Sequence, residues 1–308
     1  MISRRNIRVK VMQTLYAVET ADPAIPDDKA RKILESHFEQ SRLLFTYLVY
    51  LITETARYAE SDARNRASKH LPSKEDLSVN TKIAGNTLLW QILEDVSFRQ
   101  AAEETKIRQI ADPELVRSIY QKLAATEAYH AYIAQQSREK KDEKDILAYI
   151  FTDLILPDEL VIAHLEEFFT QWDDDADMMV QLVMNYLAKP ASYNFQDIIS
   201  GEKKAFATNL LQTAIEKKDF CLDLIRPKLK NWDAERIAML DMILMRMGVC
   251  ELLYFETIPA KVTINEYIDL AKEYSTPQSG QFVNGILDNI HKEMEQAGTL
   301  RKVDFKKQ

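Results

Sequence analysis

The chain has 308 residues, with 40 Lys and Arg against 48 Asp and Glu and a net charge of −8, which argues against a uniformly basic nucleic-acid coat. Hydrophobic residues at 46% can fill a core, and only 6 Gly and 9 Pro leave few turn residues for a strand-rich fold, so long helices with short connections are expected. Two cysteines, Cys221 and Cys250, do not make a disulfide scaffold. Both sit in apolar, helix-like surroundings and read as buried free thiols in a reducing cytoplasm.

The first predicted helix spans residues 2–19, with Ile7, Val11, Leu15 and Val18 on one stripe at helical spacing. Residues 1–18 hold Arg4, Arg5, Arg8 and Lys10 and no acid, and the three arginines fall within an arc of roughly 100°. This basic start mimics a mitochondrial transit peptide, but the pattern runs on through Gln13–Tyr16, which a cleaved peptide would not need. No apolar run follows it, so it is not a secretory signal.

Ala21–Asp28, with Pro23 and Pro26, is a predicted loop. A second helix runs from about 27 to 57, with Ile33, Leu34, Phe38, Leu44, Leu48 and Ile52 inward, and a polar extension to about His70. Leu71-Pro72 ends it, and residues 72–88 are loop-like. Leu43–Ile52 is too short to span a bilayer, and Ile237–Phe255 contains Asp241, Arg246 and Glu251, so neither predicts a membrane segment.

Three stretches then share a plan of helix, break and helix. The breaks fall at Asp112-Pro113, Trp172–Asp175 and Asn231–Asp233, where Asp is suited to capping the helix that follows. They read as recurring helical hairpins in preference to an ancient duplication. Glu139–Asp145 reads as a solvated turn and Lys189–Gly201 as a linker. Residues 151–187 carry nine Asp or Glu and no Lys or Arg, a segment expected to face solvent in preference to enlarging a partner surface. Four helices close the chain, at about 203–229, 233–256, 262–274 and 277–296, and no segment alternates long enough to be a strand.

Catalytic patterns are missing. The five histidines form no His-x-x-x-His pair, there is no Cys-x-x-Cys, and no phosphate-cradling glycine loop or nucleophile elbow appears. Asp173-Asp174-Asp175 with Asp177 lacks the glycine and terminal glutamate of a calcium loop and reads as surface acids at a helix start. No enzyme activity, metal or cofactor is expected.

In order along the chain stand Arg4-Arg5 and Arg8, Gln13-Thr14-Leu15-Tyr16, Asn231-Trp232-Asp233, Glu251-Leu252-Leu253-Tyr254, Ile258–Val262, Ile264-Asn265-Glu266 and Gln281–Asp288. Together these phrases resemble the NusB family of transcription antitermination factors, over about residues 2–19 and 203–296. The resemblance implies an all-α, NusB-like helical bundle. It also implies binding of boxA-like single-stranded RNA, jointly with the small ribosomal protein NusE. The pair then helps the elongating RNA polymerase through ribosomal RNA operons.

Ordinary members of the family lack most of residues 58–200, and long versions with such an insertion look typical of the Bacteroidetes lineage. The expected division is therefore 1–57 and 201–298 as the NusB-like fold, 58–200 as a helical insertion with the acidic segment, and 299–308 as a basic tail.

Site residues follow partly from chemistry and partly from the resemblance. Guanidinium groups bond phosphate bidentately or stack on unpaired bases, so Arg4, Arg5 and Arg8 are expected to contact RNA. Roughly three or four such contacts predict a log–log salt slope near −2 to −3 on a single strand. The resemblance adds Lys261, Gln278, Gln281 and Phe282, the last as an aromatic for base stacking. It places Tyr16, Glu235 and Asp241 at the surface for the ribosomal protein, where acids would steer a basic partner. Gly285 and Asn284 read as structural, with Gly285 permitting close helix packing. A homodimer is left open.

Two competing functions are excluded or disfavoured by the residues. A NusB-like domain also precedes some RNA cytosine methyltransferases, but no Rossmann-type glycine motif follows here. A helical interaction scaffold without RNA binding is the other, and the N-terminal arginines argue against it.

Overall fold

Ser3 accepts the Asn6 amide at 3.2 Å, and the first helix begins at the next residue. The computed structural model describes residues 2–23, 25–229 and 237–303, and its described residues are helical, with no strand among them. In chain order the helices are α1 (Arg4–Thr20), α2 (Asp27–Ala67), α3 (Lys74–Leu77), α4 (Thr87–Glu94), α5 (Val96–Glu104), α6 (Ile107–Ile110), α7 (Pro113–Ala124) and α8 (Glu127–Ala134). They continue as α9 (Lys140–Tyr149), α10 (Glu159–Phe168), α11 (Trp172–Ala188), α12 (Gly201–Glu216), α13 (Lys218–Ile225), α14 (Met239–Tyr254), α15 (Ala260–Tyr274) and α16 (Ser279–Gln296). No helix of the described residues is long and apolar enough to cross a membrane.

The chain divides into two compact units. One comprises Met1–Ile2 with Glu39–Ile198, the other Ser3–Phe38 with Ile199–Gln308.

The second unit is built around α14, whose residues from Ile243 to Leu252 are all buried. A helix covered on every side is a core helix. α1, α12, α13, α15 and α16 pack against it. Gly248 permits the closest approach, since a Cβ there would lie 2.8 Å and 2.9 Å from the two methyls of Leu287 on α16. Gly285 plays no such part: it is exposed, and a Cβ there would meet nothing within 4 Å. Asn284 beside it is exposed as well. The helix expected over 203–229 is interrupted at Lys217 and ends in a 3-10 turn, Arg226–Leu229. Cys221 and Cys250 are buried and free, their sulfurs 3.5 Å apart between α13 and α14.

The first unit contains an aromatic cluster. The Phe45 and Phe195 rings stack at 4.8 Å, with Tyr186 edge-on to both. Phe195 is fully buried, so the stretch read as a linker is an anchored segment. Its Pro, Ser and Gly residues suggested a loop, and Phe195, Ile198 and Ile199 fasten it. Glu139–Asp145 is likewise no solvated turn: α9 starts inside it, and the buried Glu143 accepts from the Tyr132 hydroxyl at 2.7 Å. α9 continues through a π-helical turn, Ile150–Ile155.

Of the expected caps, Asp112 accepts the Glu114 amide at 2.9 Å. Asp173–Asp175 instead lie in the first turn of α11, and Asp175 is buried, accepting from the Ser41 hydroxyl at 2.8 Å. Asp158 is buried too, while the other acids of 151–187 are exposed. The third break, Asn231–Asp233, lies outside the described residues.

Candidate nucleic-acid interface

The first turn of α1 presents its cations in two different states. Arg4 and Arg5 are half-exposed and held by surface ion pairs, Arg4 Nη2 to Glu202 Oε1 at 2.7 Å and Arg5 Nη2 to Glu273 Oε2 at 2.7 Å. Exposed pairs of this kind are worth only about 0–1 kcal/mol, so a phosphate can take the place of the carboxylate. The Arg4 guanidinium also lies over the Phe206 ring, 5.6 Å from its centre.

Arg8 departs from the expected open arc because it is only 2% exposed. Its Nε and Nη2 grip Glu251 of α14 at 2.9 Å and 2.7 Å, and Nη1 reaches Glu266 of α15 at 3.2 Å. Glu251 is fully buried and also accepts from the Thr263 hydroxyl at 2.9 Å and the Tyr267 hydroxyl at 3.1 Å. Burial alone pushes the Arg8 guanidinium down, but the bond and charge of Glu251, with Tyr267 and Glu266, more than reverse this and leave it above its ordinary value. Burial and the same carboxylate hold the Tyr267 hydroxyl well above its ordinary range. This is a bidentate buried pair with its remaining lone pairs satisfied, the arrangement that makes a buried charge tolerable.

α15 carries the other end of these contacts. Glu266 and Glu273 meet α1, and the turn Ser275–Gln278 follows directly. Gln278 and Gln281 are exposed at the start of α16. Lys261 is exposed in the first turn of α15, about 18 Å along the helix from Glu273. Phe282 does not join them: it is 6% exposed, on the inward face of α16, and packs as a core aromatic. A stacking role would require it to leave the core.

Asp241, after Arg8 and Phe282, is the third site residue found inside, because it is buried. It accepts from the Ser279 hydroxyl at 2.7 Å, and Ser279 in turn accepts the Thr276 amide at 3.2 Å. Asp241 thus fastens the turn that presents Gln278 and Gln281. Tyr16 is exposed on α1. Near it in sequence, Glu19 pairs with Arg246 of α14 and, at 3.3 Å, with Lys218 of α13. Glu235 lies outside the described residues.

Sequence reasoning missed Glu202, Phe206, Glu266 and Glu273 as partners of the arginines, and Ser279 as the anchor of the turn. It also missed the role of Lys302, which donates to the Glu251 and Phe255 carbonyls at 2.8 Å and 2.9 Å, covering the free end of α14. Burial pushes the Lys302 ammonium down to about 8, against the opposing charges of Glu251 and Glu256. Among the described residues, no three His, Cys, Asp or Glu side chains converge to hold a metal ion.

These features define an all-helical protein whose cationic first helix is locked to the core through a buried glutamate. The model of the NusB family matches residues 159–292, from α10 of the first unit to α16 of the second. The transcription antitermination protein NusB of Dictyoglomus thermophilum is 37% identical over 38% of this chain and 80% of its own length. NusB of Salinibacter ruber is 41% identical over 32% of this chain and 61% of its own, and that of Chloroherpeton thalassium 38% identical over 35% and 51%. A solved structure of T. maritima NusB is 32% identical, covering 40% of this chain and 82% of that one, with a TM-score of 0.30. The chain belongs to the NusB family.

Proposed function

We propose that this protein is a non-catalytic transcription antitermination factor of the cytoplasm. It binds boxA-like single-stranded RNA together with a NusE-type ribosomal protein. Through that complex it acts on the elongating RNA polymerase to promote transcription of ribosomal RNA operons. One observation carries the reading: Arg4 and Arg5 stand half-exposed at the start of a helix that Arg8 and Glu251 lock to the core. Such a helix start offers two phosphate contacts at little cost in reorganisation, because only weak surface carboxylates are displaced.

In this reading Arg4, Arg5 and Lys261 contact phosphate, and Gln278 and Gln281 meet base edges. Arg8 is a positioning residue that keeps Arg4 and Arg5 in place. Tyr16 supplies the exposed aromatic contact for the ribosomal protein. The relatives' names support the function, and the half-exposed Arg4 and Arg5 support the RNA.

Titration of fluorescent boxA-like RNA into the full chain, with and without the ribosomal protein, at two salt concentrations tests it. Salt-sensitive binding that the partner tightens, and that the folded variant Arg4→Ala/Arg5→Ala weakens roughly tenfold, is the expected result. Unchanged affinity in that variant removes the site assignment. Absence of binding under all conditions leaves the interaction-scaffold reading in its place.

A further inference from the structure

A cationic cleft lies wholly within the first unit. The middle of α2 and the α6–α7 corner enclose about 220 Å³, with Arg57, Arg64 and Arg108 on its walls beside Tyr50 and Tyr58. Two carboxylates, Glu54 and Glu60, share the lining. Glu54 is already engaged by Arg57 at 2.8 Å. Arg64 is held loosely, by the Glu60 carbonyl at 3.3 Å and the Ser61 hydroxyl at 3.4 Å. Arg108 is exposed and has no ion pair among the described residues. It stands one residue into α6, and α6 is entered through Lys106 at φ +50°, a left-handed conformation that side-chain-bearing residues adopt uncommonly. That turn sets Arg108 opposite α2.

Tyr50 and Tyr58 are half-buried, and the Tyr58 ring rests on Tyr120 at 5.3 Å. Burial and Glu54 raise the Tyr50 hydroxyl above its ordinary value, while Arg108 and Arg57 pull it back, so both guanidiniums act on that ring's polar end.

We propose that this cleft binds a ribonucleotide, its phosphate on Arg64 and Arg108 and its base against Tyr50 or Tyr58. Guanidiniums that no carboxylate holds, beside half-buried aromatic rings, are the chemistry that recognises unpaired nucleotides. The volume lies below the roughly 300–1,000 Å³ of cofactor pockets, so a bound nucleotide would be only partly enclosed. The inference goes beyond the function proposed above and does not use its residues. The nucleotide is either free or one unit of an RNA strand, and the test separates these.

The probes are uridine monophosphate and a 4-thiouridine-bearing oligouridylate of about twelve nucleotides, within the range single-strand sites cover. Both are added to the full chain carrying Arg4→Ala/Arg5→Ala, so that α1 contributes little. Photocrosslinking followed by peptide mass mapping is expected to place uridine on peptides containing Tyr50 or Tyr58. Arg64→Ala/Arg108→Ala in the same background is expected to weaken oligonucleotide binding roughly tenfold and to lower the log–log salt slope by about 1.4, with an unchanged circular dichroism spectrum. Competition by the monophosphate at equal concentration identifies a free nucleotide as the ligand, and competition by the oligonucleotide alone identifies a strand. Crosslinks that map only outside the cleft overturn the proposal, as does unchanged affinity for both probes in the folded Arg64/Arg108 variant. Should that variant unfold, the crosslink map of the parent decides.

Discussion

Arg4, Arg5 and Arg8 look alike in the sequence and part ways in the structure. Their helical arc was legible, because spacing within one helix is fixed by the helical repeat. The burial of Arg8 was not, because its carboxylate partner Glu251 lies 243 residues away. Removing one member of a buried, hydrogen-bonded pair strands the other. Arg8→Ala is therefore expected to lower unfolding free energy by about 3–5 kcal/mol in urea denaturation, against about 1 kcal/mol or less for Arg4→Ala. RNA affinity of the fraction still folded should show the opposite ranking if Arg8 only positions its neighbours. Phe282 and Gln281 make a similar contrast. Phe282→Ala empties a core position and should cost about 3–5 kcal/mol, whereas Gln281→Ala should change stability by about 0.5 kcal/mol or less and act on RNA binding. Thermal melts paired with RNA titrations of both variants check this. Sequence placed these two residues in one turn, and only the pairing of α16 with its neighbours decides which faces inward.

At the scale of helices, periodicity located α15 and α16 through their one apolar face, and α1 and α2 through apolar spacing and the prolines between them. It failed where polar composition hid a buried anchor, as at Glu143 in α9 and Phe195 after α11. It also put the close helix packing at Gly285 and said nothing of Gly248. Gly248→Ala drives a methyl into Leu287 and Tyr267, and overpacking of about 1–3 kcal/mol should outweigh the roughly 1 kcal/mol gain in helix propensity. Gly285→Ala meets no atom, so it should stabilise by about 1 kcal/mol. Calorimetry on the two variants should therefore give melting shifts of opposite sign. The free end of α14 supplies a pH test. Lys302 has its folded value lowered to about 8 from the ordinary 10.5, so between these values the unfolded chain binds more protons than the folded one. Stability should then rise with pH from about 8 to 10.5, and Lys302→Met should flatten that rise in denaturant melts across the window.

The whole molecule is acidic, with a net charge of −8, yet its proposed RNA contacts are few and local. With Arg8 buried, Arg4, Arg5 and Lys261 remain as the proposed phosphate contacts, and a log–log salt slope near −2 is expected for boxA-like RNA. A slope steeper than about −4 would mean that other cations of the chain take part. The all-α class was legible from the scarcity of Gly and Pro and from periodicity. Family membership was legible from short phrases, Glu251–Tyr254 among them, although the reason Glu251 belongs in that phrase was not. That reason has a consequence for genetics. A selection for cells that have lost antitermination should recover changes at position 251 as readily as at the arginines, although residue 251 touches no RNA. Second-site suppressors should not appear through single changes at Arg8, since Thr263 and Tyr267 share the same carboxylate. A mutational map alone would thus place the heart of the binding site inside the core.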